Sequence, residues 1–405
     1  MLATMMPAAT PAQLADATRR ARLLAAADRA RASNPRNAGP YAGALTISDR
    51  GATAPVETGA SYPYSGPLPG VWRSNGGTPL LSSSAWRFYS AVIGATGGTI
   101  GQNNGRNANF WRIAVEMNAR YLTLRLFPSA LPYRLIVDGR YVSVAGTVLG
   151  VTSGTTLQHL LLDFGARAPR RVVLEGQYSQ GFAGGFCEAT GQLRRPDDDA
   201  PALAFLGDSY VFGSSASVMG DGVVPVMGDW MGARVHASGS GGTGWATPTN
   251  LRFDERIAAG DLALGEAAPD LICLMASIND RARDMAVVRA NAATGLRAAR
   301  VRYPAVPIVV FGCLPAATGG TTLACEQAVQ AAVAQVADPQ VAFVPVTGDA
   351  TGAWVTGTGR IGAASGTGTS DWATVSDGIH PGDEGCAHIG RRYADAAVAA
   401  LRAMG

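Results

Sequence analysis

The chain has no lysine: all 33 basic residues among its 405 are arginine. That absence excludes a lysine-dependent phosphate loop, Schiff-base chemistry and a Ser-Lys dyad. Histidine is scarce, with only His159, His236, His380 and His388 to supply an imidazole. The cysteines (Cys187, Cys273, Cys313, Cys325, Cys386) are scattered and odd in number, which fits neither a disulfide framework nor a zinc pattern. Cys313 and Cys325 flank a Gly/Thr loop and could pair across it, but isolated thiols are the expectation. Neither sign of charge is in excess, at 33 basic against 30 acidic residues, so no nucleic-acid-binding surface is expected. No apolar run approaches the ~20 residues that span a bilayer. The opening MLATMMPAAT lacks a basic stretch and is cut by Pro7, so no secretion signal is expected. A cytoplasmic or virion-associated setting follows, or an extracellular one if a signal has been removed.

What is present is a folded chain, 47% hydrophobic and 16% charged, with room for two or three domains. Residues 12–32 read as a helix with a thin apolar face (Leu14, Ala17, Ala21, Leu24). Such a helix docks on the body, mediates a homo-oligomer or anchors the protein to a larger assembly. Residues 33–70 read as a linker, so 1–70 is expected to be an arm. From 71 to 195 short alternating runs predict a β-sandwich: FWRIAVEM (110–117), YLTLRLF (121–127), YRLIVDGRYVSV (133–144), LQHLLLDFG (157–165) and RRVVLEG (170–176). Asp138-Gly139 is a hairpin turn signal. The segment LRRPDDDAP (193–201) reads as a hinge.

From 201 to 405 the period changes. The runs 202–207, 234–237, 271–276, 307–313 and 341–346 alternate with helical stretches at 281–303, 322–337 and 383–404. Strands alternating with helices predict a parallel sheet with helices on both faces, an α/β domain. In such a sheet catalytic groups lie where strands end and helices begin.

Four segments there carry chemistry. FLGDSY (205–210) delivers Ser209 at a strand's carboxyl edge, though Gly, Asp and Ser are also ordinary turn residues. SDGIHPGDEG (376–385) sets Asp377 three positions before His380. A serine needs a base, and the base needs a carboxylate to hold its tautomer; the same residues also suit a helix cap. ASIND (276–280) offers the Asn279 amide as an uncharged oxyanion donor, or a turn. SGSGGTGW (238–245) has glycines that let backbone N–H groups approach a ligand. Its GSGGTG matches a dinucleotide fingerprint, but Pro248 stands where the phosphate-binding helix would run.

In this order the four segments resemble the four blocks of the SGNH/GDSL hydrolase superfamily, over residues 201–405. The resemblance implies a flavodoxin-like three-layer α/β/α domain and ester hydrolysis without metal or organic cofactor. It implies Ser209 as nucleophile, His380 as general base and Asp377 as its partner. The oxyanion donors it implies are the backbone N–H groups of Ser209 and Gly242, with Gly241 as the alternative, and the Asn279 side chain. Two departures stand out: Ser277 replaces the glycine of the third block, and Ala237 the asparagine that often opens the second. RLIVDGRYV and LDFGARAPRRVVLE resemble the jelly-roll modules of some carbohydrate esterases of this superfamily. That implies O-acyl, above all O-acetyl, esters of carbohydrate as substrate. A general short-chain esterase, lipase or polyester hydrolase is the alternative, and an inactive glycan adhesin a third. Trp245, Trp354 and Trp372 are candidate sugar-stacking residues, although tryptophan more often packs in a core. The loop 347–375 is long enough for a lid or a substrate wall.

Overall fold

The computed structural model describes residues 11–53, 59, 61–64, 70–75, 78–82, 85–89, 110–177, 180–197, 200–247, 251–263, 268–314, 322–348 and 352–404. Five parallel strands form the C-terminal sheet, in the spatial order Arg234–Gly239, Ala202–Gly207, Leu271–Met275, Ile308–Phe311, Val341–Val344. In chain order this is 2-1-3-4-5, the flavodoxin-like arrangement the resemblance implies. ALAFLG, LICLM and IVVF are buried at every position, as strands covered on both faces require. Helices Phe253–Ala258, Met285–Arg302 and Leu323–Val336 pack side by side as one group, and Val223–Met231 with Asp383–Ala403 as another. Chain order reverses between the first and third strands, which opens a crevice at their carboxyl ends.

The N-terminal helix spans Pro11–Ser33 and docks on Val223–Met231 and Asp383–Ala403. Its buried apolar residues are Leu23, Ala26, Ala27 and Ala30. Ala17 and Ala21 of the expected face are exposed and Leu24 is half-buried, a correction of that reading. With so many alanines the helical periodicity is weak, and the docking surface selects the face. Arg22 to Asp270 (3.2 Å) and Arg31 to Asp395 (2.7 Å) pin the helix to the body.

The β-rich unit is antiparallel. The runs at 110–117 and 121–127 join into one strand, Phe110–Leu126, and those at 157–165 and 170–176 into another, Gln158–Gln177. Their pairing slips between Ala119 and Tyr121, where the Arg120 and Tyr121 N–H groups donate to the Glu188 carboxylate at 2.7 and 3.0 Å. The slip divides the ribbon in two. One half is flanked by Arg73–Asn75, Gln192–Arg194 and Arg134–Val137, the other by Thr46–Asp49 and Gly181–Cys187. Trp111, Ile113 and Val115 of one half share a core with Leu122, Leu124, Leu160 and Leu162 of the other. Hydrogen bonds connect the eleven strands into a single network because the two long strands pass through both halves. Asp138 (φ +49°) and Gly139 (φ +76°) make the expected turn. The 33–70 linker is corrected: Thr46–Asp49 and Ser61–Pro63 are strands of this unit, paired with 160–163 and 184–186. Short edge strands among turn residues leave little periodic signal.

A shared ion cluster joins the two units. Arg112 and Arg134 from the β-rich unit pair with Glu175 and reach across to Asp229 and Asp221. Arg36, following the N-terminal helix, bonds Asp221 and Asp229, both at 2.8 Å. Burial pushes Asp229 up, but Arg112 and Arg36 outweigh it and hold the carboxyl below its usual range. Glu175 is almost fully buried. Removing one member strands buried charge, so Glu175→Ala is expected to lower unfolding stability by about 3–5 kcal/mol. Denaturant titration measures it, and a loss under 1 kcal/mol contradicts the clasp.

Candidate active site

The first parallel strand ends at Gly207, and the chain turns at once into a short helix, Ser209–Phe212. The turn is tight: a Cβ on Gly207 would lie 2.4 Å from Val211 Cγ2 and 2.6 Å from Met275 Sδ. Asp208 caps the helix, its Oδ1 accepting from Tyr210 N at 3.0 Å. Ser209 therefore begins the helix at the crevice.

The imidazole arrives from the far end of the sequence. His380 Nε2 lies 2.8 Å from Ser209 Oγ, across 171 residues. His380 Nδ1 lies 2.6 Å from Asp377 Oδ2. The other carboxylate oxygen, Oδ1, accepts the N–H groups of Ile379 (2.8 Å) and His380 (2.9 Å), so the loop folds around its own acid. Burial raises the Asp377 pKa, but the His380 ring and these N–H groups outweigh it and leave the carboxyl below its usual range. Tyr210 OH donates to Ile379 O at 2.8 Å, and Val375 N to His380 O at 2.9 Å. The first bond fastens the His380 loop to the helix that carries Ser209, and the second closes the loop on itself.

The other two segments close around Ser209. A Cβ on Gly241 would stand 3.7 Å from Ser209 Cβ, so this turn lies against the serine. Gly242 has φ +72°, which favours glycine. Asn279, in the short 3-10 turn Ile278–Asp280 after the third strand, donates through Nδ2 to Thr243 O at 2.9 Å. Asp280 is buried and accepts from Trp245 N (2.7 Å), Ala246 N (3.0 Å) and Thr247 Oγ1 (2.8 Å), fixing the end of the Gly-rich segment. Burial raises the Asp280 pKa against these bonds. Asp208, fully buried, is pushed up to about 6 by burial, opposed by the Ser277 hydroxyl and Tyr210 N–H.

The tryptophan expectation is corrected at two positions. Trp245 is 0% exposed, with Nε1 donating to Met275 O at 2.9 Å, and Trp354 is 2% exposed against Phe311 and Tyr393. Buried rings offer no face to a sugar. Trp372, 38% exposed, has its edge contact with His388. His388 Nε2 lies 3.3 Å from Trp354 O. The five cysteines are buried and free, so Cys313 and Cys325 form no disulfide. The described part of the 347–375 loop is tied across itself, with Ser370 N donating to Thr356 O (3.0 Å) and Ile361 N to Thr374 O (2.7 Å). Residues 349–351 lie outside the described residues.

One supporting group had no signal in the sequence. The Arg256 guanidinium is fully buried, paired with Asp261 at 2.8 Å. It donates to Gly207 O (2.9 Å) and Ser238 O (2.5 Å), gripping the carboxyl ends of the first two strands. In FDERIA it reads as an ordinary polar helix position.

A flavodoxin-like α/β/α domain thus holds a serine, an imidazole and a carboxylate in one hydrogen-bonded line at its switch point. Residues 205–388 match the model of the GDSL-like lipase/acylhydrolase family. Over these residues the chain is similar to GDSL-like acylhydrolases, consistent with a member of the SGNH hydrolase superfamily. Among solved structures the chain is similar to the salicylyl acyltransferase SsfX3 from a tetracycline biosynthetic pathway, at 14% identity and TM-score 0.60, covering 82% of this chain and 96% of that one. It is similar to a family two carbohydrate esterase from Clostridium thermocellum in complex with cellohexaose (15%, TM-score 0.55, 82% and 98%). A third is the acetyl xylan esterase Est2A from the rumen bacterium Butyrivibrio proteoclasticus (13%, TM-score 0.52, 89% and 100%). At these identities the likeness is one of fold. A search of curated proteins finds no match.

Proposed function

We propose that this protein is a serine esterase that removes O-acyl groups, chiefly O-acetyl, from carbohydrate. The observation carrying the proposal is the hydrogen-bonded line from Ser209 Oγ through His380 to Asp377. In this reading His380 Nε2 takes the hydroxyl proton as Ser209 Oγ bonds to the ester carbonyl carbon. The carbonyl oxygen becomes an oxyanion facing the Ser209 and Gly242 N–H groups and the Asn279 amide. As the tetrahedral adduct collapses, the ester C–O bond breaks and His380 protonates the departing sugar oxygen. Water, deprotonated by His380, attacks the acyl-enzyme, and Ser209 recovers its proton as the acid leaves. The chemistry needs no residue beyond these.

Carbohydrate is favoured by the accompanying β-rich unit and by the fold shared with the two carbohydrate-active esterases. The acyltransferase neighbour favours a second reading, in which an alcohol replaces water in attacking the acyl-enzyme. Acetate release from acetylated xylan and other acetylated glycans, compared with p-nitrophenyl esters of increasing chain length, tests the proposal. Acetyl esters are expected to be cleaved fastest. A preference for acyl chains of about eight carbons or more would contradict the deacetylase, because a pocket rewards each added buried CH₂ with up to ~0.8 kcal/mol only if it is built to hold the chain. Appearance of transferred ester in place of free acetate, when an alcohol is added, marks the second reading.

A further inference from the structure

The Ser277 hydroxyl joins three of the four segments around the nucleophile. Its oxygen lies 2.6 Å from Asp208 Oδ2, beside Ser209, and 2.8 Å from Thr243 O, in the Gly-rich segment. It accepts from Asn279 N at 3.2 Å and Asn279 Nδ2 at 3.1 Å. Ser277 is fully buried, so this junction is closed to solvent.

We propose that Ser277 is a positioning residue that aims the Asn279 amide at the oxyanion, its oxygen accepting from Asn279 Nδ2 while its hydroxyl satisfies Asp208 in the amide's place; this rests on Asn279 being an oxyanion donor. The competition is visible in the distances. Asp208 Oδ2 has its short bond from Ser277 (2.6 Å), whereas Asn279 Nδ2 stays at 3.4 Å. A buried carboxylate left without its donor takes the nearest replacement, since an unsatisfied buried acceptor is costly and bonds to charged groups are the stronger ones. Without the hydroxyl, that replacement is the Asn279 amide. Thr243 O holds Nδ2 on one side at 2.9 Å, so the amide would pivot toward Asp208 and leave the substrate oxygen. Glycine here would also forfeit the N-terminal cap that Ser277 places on the Ile278–Asp280 turn.

The test is a double-mutant cycle on p-nitrophenyl acetate, with melting temperatures recorded for each variant. Asn279→Ala is expected to lower kcat by about 100- to 1,000-fold. Ser277→Ala is expected to lower kcat by about 10- to 100-fold, a part of that same donor's worth, with KM within about twofold. In the Asn279→Ala background the Ser277→Ala change is expected to cost nothing further, because the group it acts through is gone. Multiplicative losses, or a Ser277→Ala enzyme with wild-type kcat, would overturn the proposal. Should the alanine variant not fold, Ser277→Cys, a weak donor of similar size, carries the same non-additivity. A fully active Asn279→Ala enzyme also overturns it, while Ser209→Ala separately reports whether the esterase reading itself stands.

Discussion

Ser209→Ala is expected to lose ester hydrolysis by ~10⁴-fold or more and to lose labelling by a fluorophosphonate probe. The argument is geometric. Ser209 Oγ is the hydroxyl within 2.8 Å of His380 Nε2, and an alanine methyl cannot be deprotonated or form an acyl-enzyme. The position is nearly buried, and Asp208, with its bonds to Tyr210 N and Ser277, is untouched by the change, so the fold is expected to persist. Any residual rate comes from the oxyanion donors and substrate binding. Equal labelling of wild type and variant would remove Ser209 as nucleophile and the esterase with it.

Asp377→Asn is expected to lower kcat on the order of 10³-fold to 10⁴-fold with little change in KM. The side chain is nearly isosteric, so the effect lies in the proton and not in packing. Asp377 Oδ1 is committed to two backbone N–H groups, at 2.8 and 2.9 Å. An asparagine keeps its oxygen on those donors and turns its NH₂ toward His380 Nδ1. That ring nitrogen must then accept, which leaves the proton on Nε2, where it cannot receive the one from Ser209. Because the Asp377 pKa is depressed, its stabilising contribution is present above the ordinary carboxylate range and is lost only as pH falls through the lower folded value. The wild-type carboxylate is therefore anionic throughout the neutral range, and lowering pH moderately will not mimic the variant. A variant with wild-type kcat would show that the carboxylate does not set the tautomer.

Some of this was legible in residue order. Asp377 and His380 are three positions apart, so a single turn brings them together, and no distant contact is needed. The buried runs 202–207, 271–275 and 308–311 are apolar at every position, which forces strands covered on both faces. The Asp138-Gly139 turn was legible because its positive φ angles restrict the residues it accepts. The tryptophans were misplaced for the opposite reason. An aromatic beside a Gly-rich turn looks the same in sequence whether its ring faces solvent or, as with Trp245, the core. The edge strands at 46–49 and 61–63 depend on partners more than a hundred residues away, and the slip at Arg120 on partners more than forty away.

The sequence by itself determined the local chemistry: which hydroxyl, imidazole, carboxylate and amide end up at strand–helix junctions, because hydrophobic period and turn residues act over a few positions. Only the tertiary structure decided what holds them in register. The Arg256 grip on two strand ends, the Ser277 junction of three segments and the arginine–carboxylate clasp between the units each join residues distant in the chain. A buried charge or hydroxyl selects its partner by distance and desolvation, and those exist only once the chain has folded.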